Sequence, residues 1–333
     1  MSKVKWGVLG VAKIAVEKVI PAMQRGDVSQ IAGIASRDFG RARKAADALG
    51  IARAYGSYED LLADPDIEAV YNPLPNELHV PWTIKALEAG KHVLCEKPIA
   101  LDAKEARMLI DARERSGRLV AEAFMVRYHP QWRRARELVA VGAIGVAGAI
   151  QTFFSYRLLD PENVRNRPPG GGGLYDIGCY AILTARHIFG AEPTRVVATL
   201  NRDPNFGTDR LVSAILEFPG GRHLTFSAAT QLSAHQRVTI VGDAGRIEVE
   251  IPFNAPPDRP TKMLIDSGAD LFGGGARVEE FSTCDQYTLQ GDAFSRAVLG
   301  QAPLEFPIED ALLNMRVIDA LFRSAERGSW ETP

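Results

Sequence analysis

Cysteine is scarce: Cys95, Cys179 and Cys284 are the three in 333 residues, an odd number without metal-ligand spacing. Disulfide scaffolds and metal sites are therefore not expected, and a reducing compartment, the cytoplasm, is. Neither sign of charge is in excess. The 39 basic and 41 acidic residues leave a net charge of -2, too weak a field to gather nucleic acid or an anionic membrane. No apolar run approaches the roughly 20 residues that span a bilayer. Met1 to Gly10 leads into strand-like sequence without a basic stretch and a longer apolar run behind it, so no secretory signal is expected. Internal repeats are lacking too. What is present is the composition of a globular chain, 46% hydrophobic and 24% charged, at a length suited to two domains of roughly 150 residues each.

From Val4 to about Ala123 short apolar runs alternate with amphipathic segments. The runs are Trp6 to Leu9, Ile31 to Ala35, Ala69 to Tyr71, His92 to Leu94 and Leu119 to Ala121. Helical patterns lie between them at Arg41 to Leu49, Val80 to Ala89 and Ala103 to Ser116, each stopped by a glycine, Gly50, Gly90 and Gly117. Alternation of this kind predicts a parallel sheet covered on both faces, the α/β architecture of a Rossmann domain over residues 1–123. After a helix near Pro130 to Val141 the period becomes two. Val238 and Ile240, then Ile247, Val249 and Ile251, flank a Gly242 to Gly245 turn and predict an antiparallel hairpin. Further strands are expected at Gly148 to Arg157, Arg195 to Leu200, Leu211 to Phe218 and His223 to Thr230. Residues 124–333 thus read as an α+β domain: an open, mostly antiparallel sheet of about six strands, with helices on one face. Helices around Tyr287 to Leu299 and Glu309 to Arg327 close the chain, and these last helices are free to pack back on the N-terminal domain.

Three stretches carry chemistry. In Gly7 to Ala15 (GVLGVAKIA) the dinucleotide fingerprint is degraded but readable: Gly10 supplies the tight turn, Ala12 stands for the second glycine, and Ala15 takes the close-packing position. With Lys13 and Ile14 these residues open a helix whose free N–H groups suit a pyrophosphate. An NAD-specific domain places an acid at the end of the second strand; here Ser36 and Arg37 stand there, a hydroxyl and a guanidinium that suit a 2′-phosphate. NADP(H) is favoured and NAD(H) is possible, the alternative being that Arg37 is a solvated charge and Asp38 accepts the ribose. The second stretch is Glu96, Lys97 and Pro98 at a strand's carboxyl end, where open parallel sheets bind ligands. Near a cationic nicotinamide the Lys97 ammonium is disfavoured, so it can donate to a substrate oxygen or shuttle a proton. The third is Gly170 to Tyr180 (GGGGLYDIGCY). Asp176 and Tyr180 are four apart, on one face of a helix, with Gly178 keeping the backbone approachable. A phenol can move a proton to or from a sugar oxygen, and a carboxylate can fix a neighbouring hydroxyl. Helix capping by Asp176 and core packing by Tyr180 are the alternatives.

Together E-K-P, the run Asn72, Pro73, Leu74, Pro75, Asn76 and His79, and D-x-G-x-Y resemble the glucose-fructose oxidoreductase and inositol dehydrogenase (GFO/IDH/MocA) family over nearly the whole chain. Glu122 to Pro130 (EAFMVRYHP) and the Arg165, Asn166 pair are most similar to its dimeric dihydrodiol and aldose dehydrogenase branch. The resemblance implies that Lys97 is the catalytic lysine, Tyr180 the acid-base group and Asp176 a substrate-orienting carboxylate. It implies cofactor contacts from Pro73, Leu74, Asn76, His79, Glu96 and Lys97, and a homodimer formed through the C-terminal sheet. Tyrosine at position 180, where inositol dehydrogenases have histidine, tilts the reading to aldose C1.

The expected activity is hydride exchange between the nicotinamide and C1 of a sugar, with a lactone product. Arg165, Phe154 and Tyr156 are pocket candidates, since aromatic faces suit a sugar's C–H face. Met125, with Phe124 and Phe154, leaves room for an apolar ligand. The alternatives are a keto-sugar or dicarbonyl reductase of the anhydrofructose-reductase kind, a trans-dihydrodiol dehydrogenase, and a non-catalytic NADP-binding regulator.

Overall fold

The computed structural model describes residues 2–333. The chain divides into two units, Met1–Met125 with Gln286–Leu312, and Val126–Asp285 with Leu313–Pro333.

The first unit is built on six parallel strands, β1 (Val4–Leu9), β2 (Ser29–Ala35), β3 (Arg53–Tyr55), β4 (Ala69–Asn72), β5 (His92–Cys95) and β6 (Val120–Glu122), in the order β3-β2-β1-β4-β5-β6. This is the dinucleotide-binding order, and the direction of progression reverses between β1 and β4, where such sheets bind ligands beyond their carboxyl ends. The strands are apolar along their length because both faces are covered: Trp6, Val8, Ile34, Tyr71 and Leu94 are all buried. Trp6 donates from Nε1 to Ser295 Oγ at 3.0 Å, so the indole satisfies its polar atom inside the core. Asp38, Ser57 and Asp102 cap the helices Phe39–Leu49, Tyr58–Ala63 and Ala103–Ser116, while Gly50 and Gly117 end the first and third in left-handed geometry. Sequence patterning misses β3, whose three half-buried residues are too few to show a period.

The helix after β1 opens as a π turn, Ala15–Val19, in which Ile20 N–H bonds to Ala15 O before the α-helical Ile20–Gln24. Pro21 explains it: proline has no N–H to give one turn back, and the wider i→i+5 pattern accommodates the gap.

The second unit is built on an eight-stranded sheet rather than the expected six. Its strands are β7 (Ala147–Arg157), β8 (Arg195–Arg202), β9 (Asp209–Phe218), β10 (Arg222–Ala229), β11 (Gln231–Gly242), β12 (Arg246–Val249), β13 (Thr261–Asp266) and β14 (Ala276–Phe281), ordered β14-β13-β12-β11-β7-β10-β9-β8. All neighbours are antiparallel except β10 and β7. The hairpin across Gly242 to Gly245 forms as expected, closed by Gly242 N–H to Gly245 O at 2.8 Å. The two unforeseen strands, β13 and β14, adjoin the Pro- and Gly-rich segments 255–260 and 268–275. On β9 the alternation is regular: Val212, Ala214, Leu216 and Phe218 are buried, while Leu211, Ser213, Ile215 and Glu217 face outward to varying degrees.

No helix among the described residues is long and apolar enough to cross a membrane. Among the same residues there is no cluster of histidine, cysteine and carboxylate side chains that could hold a metal.

Candidate active site

In the first unit the candidate residues gather at the carboxyl ends of β1, β2, β4 and β5. Gly10 follows β1 with φ +86°, a conformation open mainly to glycine, and its N–H bonds to Ala35 O at 2.8 Å. A Cβ at Gly10 would sit 2.9 Å from Leu74 Cδ2, so the fingerprint turn packs directly on the loop after β4. Ala12 and Ile14 are partly exposed, Lys13 is exposed and Ala15 is fully buried, so the helix presents its first turn and packs its fourth fingerprint position. This donor set fits a dinucleotide pyrophosphate. At the end of β2, Ser36 Oγ accepts from Asp38 N–H at 3.2 Å, and Asp38 Oδ1 accepts from Arg41 N–H at 3.1 Å. Asp38 is thereby engaged as a helix cap, while Arg37 is exposed beside it.

The loop after β4 is fixed from behind. Asn72 is buried; its Oδ1 accepts from Leu74 N–H at 3.3 Å and its Nδ2 donates to His79 O and to Thr83 Oγ1, both at 3.1 Å. Pro73 and Leu74 are buried and Asn76 is partly exposed. The His79 ring is buried, its Nδ1 2.8 Å from Pro98 O and its Nε2 2.7 Å from Leu74 O. It stands behind the loops. After β5, Glu96 accepts from Tyr71 Oη at 2.6 Å and from Lys97 N–H at 3.3 Å. Burial first, and Glu96 beside it, hold the Tyr71 phenol's pKa far above its ordinary value, so it stays a donor. Lys97 is partly exposed and precedes a cis peptide to Pro98, and Ile99 N–H is held by Glu122 Oε1 at 2.8 Å. Met125 is buried at the end of this unit.

In the second unit Asp176 lies in a π turn, Leu174–Gly178, that runs into the helix Cys179–Phe189. Asp176 Oδ1 accepts from Arg165 Nε at 3.1 Å, and Oδ2 accepts from the Tyr156 hydroxyl. The carboxylate is therefore oriented by two donors from different segments. Asp176, ahead of an opposing burial effect, holds the Arg165 pKa above its ordinary value, and burial followed by Asp176 raises that of Tyr156. Tyr180 is buried, its ring set against Phe154 at 6.1 Å and Phe253 at 5.3 Å between centroids, with Phe154 and Phe253 stacked at 4.8 Å. The unit thus supplies an oriented carboxylate and a phenol on an aromatic floor.

Two expectations need correction. The segment from Asp176 to Tyr180 is not a regular α-helix but a π turn leading into one, a feature frequent at functional sites. Gly178 is needed for packing within its own unit, since a Cβ there would lie 2.9 Å from Leu174 Cδ1 and 3.5 Å from Phe226 Cε2. Sequence reasoning also missed Tyr71, Glu122, Phe253 and the buried Asp209, whose Oδ2 accepts from Leu174 N–H at 2.7 Å. An acid at the head of a strand whose alternate residues Val212, Ala214, Leu216 and Phe218 are apolar was the available signal for Asp209.

The family pattern described as "Oxidoreductase family, NAD-binding Rossmann fold" matches residues 4–124, and the GFO/IDH/MocA C-terminal domain matches residues 132–248. An uncharacterised oxidoreductase from Rhizobium meliloti is 50% identical over 100% of both chains. An NADP+-dependent D-xylose 1-dehydrogenase from Haloferax volcanii is 39% identical over 97% of this chain and 98% of its own. The crystal structure of a 3-ketoreductase from Actinomadura kijaniata, in complex with NADP and TDP-benzene, superposes with a TM-score of 0.90 at 30% identity over 97% of this chain and 98% of that one.

Proposed function

The chain belongs to the GFO/IDH/MocA oxidoreductase family, an NAD(P)-dependent sugar oxidoreductase of that type, and we propose that it uses NADP(H) to exchange a hydride with C1 of an aldose. The observation that carries this reading is 39% identity, over 97% of this chain, to an enzyme named for both NADP+ and carbon 1 of D-xylose. The exposed Arg37 beside Ser36, with Asp38 engaged as a helix cap, supports the choice of cofactor.

A nicotinamide, when bound, would supply hydride exchange; the protein's own side chains would bind, orient and move the proton. Gly10, Ala12, Lys13, Ile14 and Ala15 offer the pyrophosphate a turn and free N–H groups. Ser36 and Arg37 receive the 2′-phosphate, while Pro73, Leu74, Asn76 and Glu96 shape the loops that border the cofactor. Asp176, oriented by Arg165 and Tyr156, fixes a sugar hydroxyl as an acceptor. Tyr180 takes the proton from the reacting hydroxyl during oxidation, and Lys97, in the first unit, donates to a substrate oxygen or shuttles a proton. In the second unit Phe154, stacked on Phe253 beside Tyr180, excludes water from an apolar face of the ligand, and Met125 is the apolar candidate of the first unit. A screen of aldoses, keto-sugars and diols against NADP+ and NADPH, read at the nicotinamide absorbance, tests the reading. Turnover of aldoses with NADP+ to lactones is expected, and reduction of keto-sugars alone would replace it. That second reading, a keto-sugar reductase, is favoured by the likeness to the 3-ketoreductase and would use the same residues in the opposite direction.

The outward face of β7, β8, β9, β10 and β11 carries a hollow of about 660 Å³ lined by Phe153, Val197, Thr199, Ile215 and His235 among others. Its mixture of apolar and hydroxyl side chains suits a second copy of the chain rather than plain solvent.

A further inference from the structure

The loop after β4 and the loop after β5 are separated by a helix, and one imidazole joins them. His79 is 1% exposed; its Nδ1 lies 2.8 Å from Pro98 O, the residue after Lys97, and its Nε2 lies 2.7 Å from Leu74 O. Leu74 in turn packs where a side chain on Gly10 would be, 2.9 Å from the position of a Cβ there. The base of the histidine is pinned as well, because Asn72 Nδ2 donates to His79 O while Asn72 Oδ1 accepts from Leu74 N–H. A rigid five-membered ring therefore sets the spacing between two backbone carbonyls, one in each loop.

We propose that His79 is a positioning residue whose two nitrogens serve different halves of the machinery: the Nε2 edge holds Leu74 and the cofactor turn, and the Nδ1 edge holds Pro98 and so Lys97. This rests on the reading of Leu74 and Lys97 given above. The two carbonyls favour an N–H on each nitrogen, whereas burial, the larger influence, and Lys97 favour the neutral ring and lower its pKa to about 4. A neutral imidazole carries one N–H and donates to one of the two carbonyls at a time, while the other carbonyl is spaced by contact with the ring.

Asparagine and glutamine separate the edges, since the amide nitrogen of asparagine reaches about as far as Nδ1 and that of glutamine about as far as Nε2. His79→Asn keeps a nitrogen toward Pro98 and loses the one toward Leu74. NADPH affinity, measured by fluorescence titration without substrate, should weaken about tenfold or more, and kcat at saturating cofactor should fall by a smaller factor. His79→Gln should reverse the pattern, with kcat falling about tenfold or more and NADPH affinity changing less. Equal changes in both quantities for both variants, or no change in either, would overturn the proposal. Melting of both variants below the assay temperature would also overturn it, by showing His79 to be a general support of the fold. Lys97→Ala measured alongside distinguishes the two readings: normal turnover in that variant removes the lysine's role, yet the NADPH affinities of the two His79 variants still report on the Leu74 edge.

Discussion

Asp209 Oδ2 accepts a 2.7 Å hydrogen bond from the backbone N–H of Leu174, the first residue of the π turn that carries Asp176. Gly172, before that turn, leaves room for the Asp209 carboxylate, and Gly171 for the backbone of Arg165 and Arg167. A Cβ on Gly172, whose φ is +110°, would lie 2.1 Å from Asp209 Oδ1, and one on Gly171 would lie 2.5 Å from Arg167 O. Burial pushes the Asp209 pKa up to about 6 against the opposing pull of backbone N–H groups and Arg202. A raised native pKa means the folded state binds the proton more tightly than the unfolded chain does. That stabilising contribution is complete below about pH 4 and is lost as pH rises through about 6.

Asp209→Asn removes the titration while keeping the shape. Wild type should therefore lose roughly 2–3 kcal/mol of stability relative to this variant between pH 4 and pH 7.5, from a shift of about two pKa units. Urea unfolding of both proteins at the two pH values checks it. Parallel stability curves would mean that Asp209 titrates as an ordinary carboxyl.

The first unit was legible because its signals are local and repeated: β1, β2, β4, β5 and β6 are short apolar runs, and helix caps such as Asp102 and Gly117 stand beside the segments they end. The second was legible where a strand alternates, as β9 does, and obscure where it does not. In β13 the outward residues include Leu264, and Gly268 to Gly275 separates it from β14, so neither strand had a clear pattern or a tight turn. The candidate side chains could be named from motifs, but their supports could not. Asp209 meets Leu174 across 35 residues and His79 meets Pro98 across 19. Phe253 joins Tyr180 only through tertiary packing. Such relationships depend on the fold rather than on any spacing in the chain.

Tyr180→Phe keeps the ring that packs on Phe154 and Phe253 and deletes only the hydroxyl. Turnover should fall about 100- to 10,000-fold, the usual contribution of a positioned acid-base group, with Tm nearly unchanged. Lys97→Ala should lose a comparable factor while retaining NADPH binding. If Tyr180→Phe preserves kcat and its pH profile, the tyrosine belongs to packing alone.

Arg37 is exposed beside Ser36 while Asp38 is occupied by the helix it caps. Arg37→Ala should weaken NADPH about ten- to a hundredfold, in line with roughly 1.5–3 kcal/mol for a hydrogen bond to a charged group, and leave NADH nearly unaffected. Fluorescence titrations with the two cofactors give the comparison. Equal losses would return Arg37 to the role of a solvated surface charge.

The outward face of the eight-stranded sheet bears on association. On β9, Ile215 is 40% exposed and Ser213 lies beside it in the hollow. On β11, Leu232 is 44% and Val241 42% exposed. Ile215 and Val241 expose aliphatic surface on the outward face, although Ser213, Ser227 and Thr225 keep the hollow too polar for a core. A two-fold pairing of identical copies would cover such a surface with itself, matching hydroxyls and aliphatic groups across the axis. Light scattering coupled to gel filtration at micromolar concentration should therefore give a mass of about twice 36.3 kDa. Ile215→Lys should move it toward the monomer, because a charge placed on the axis-side face must be desolvated in both copies. A mass of 36.3 kDa across the whole dilution range for wild type would mean that the face is simply solvated.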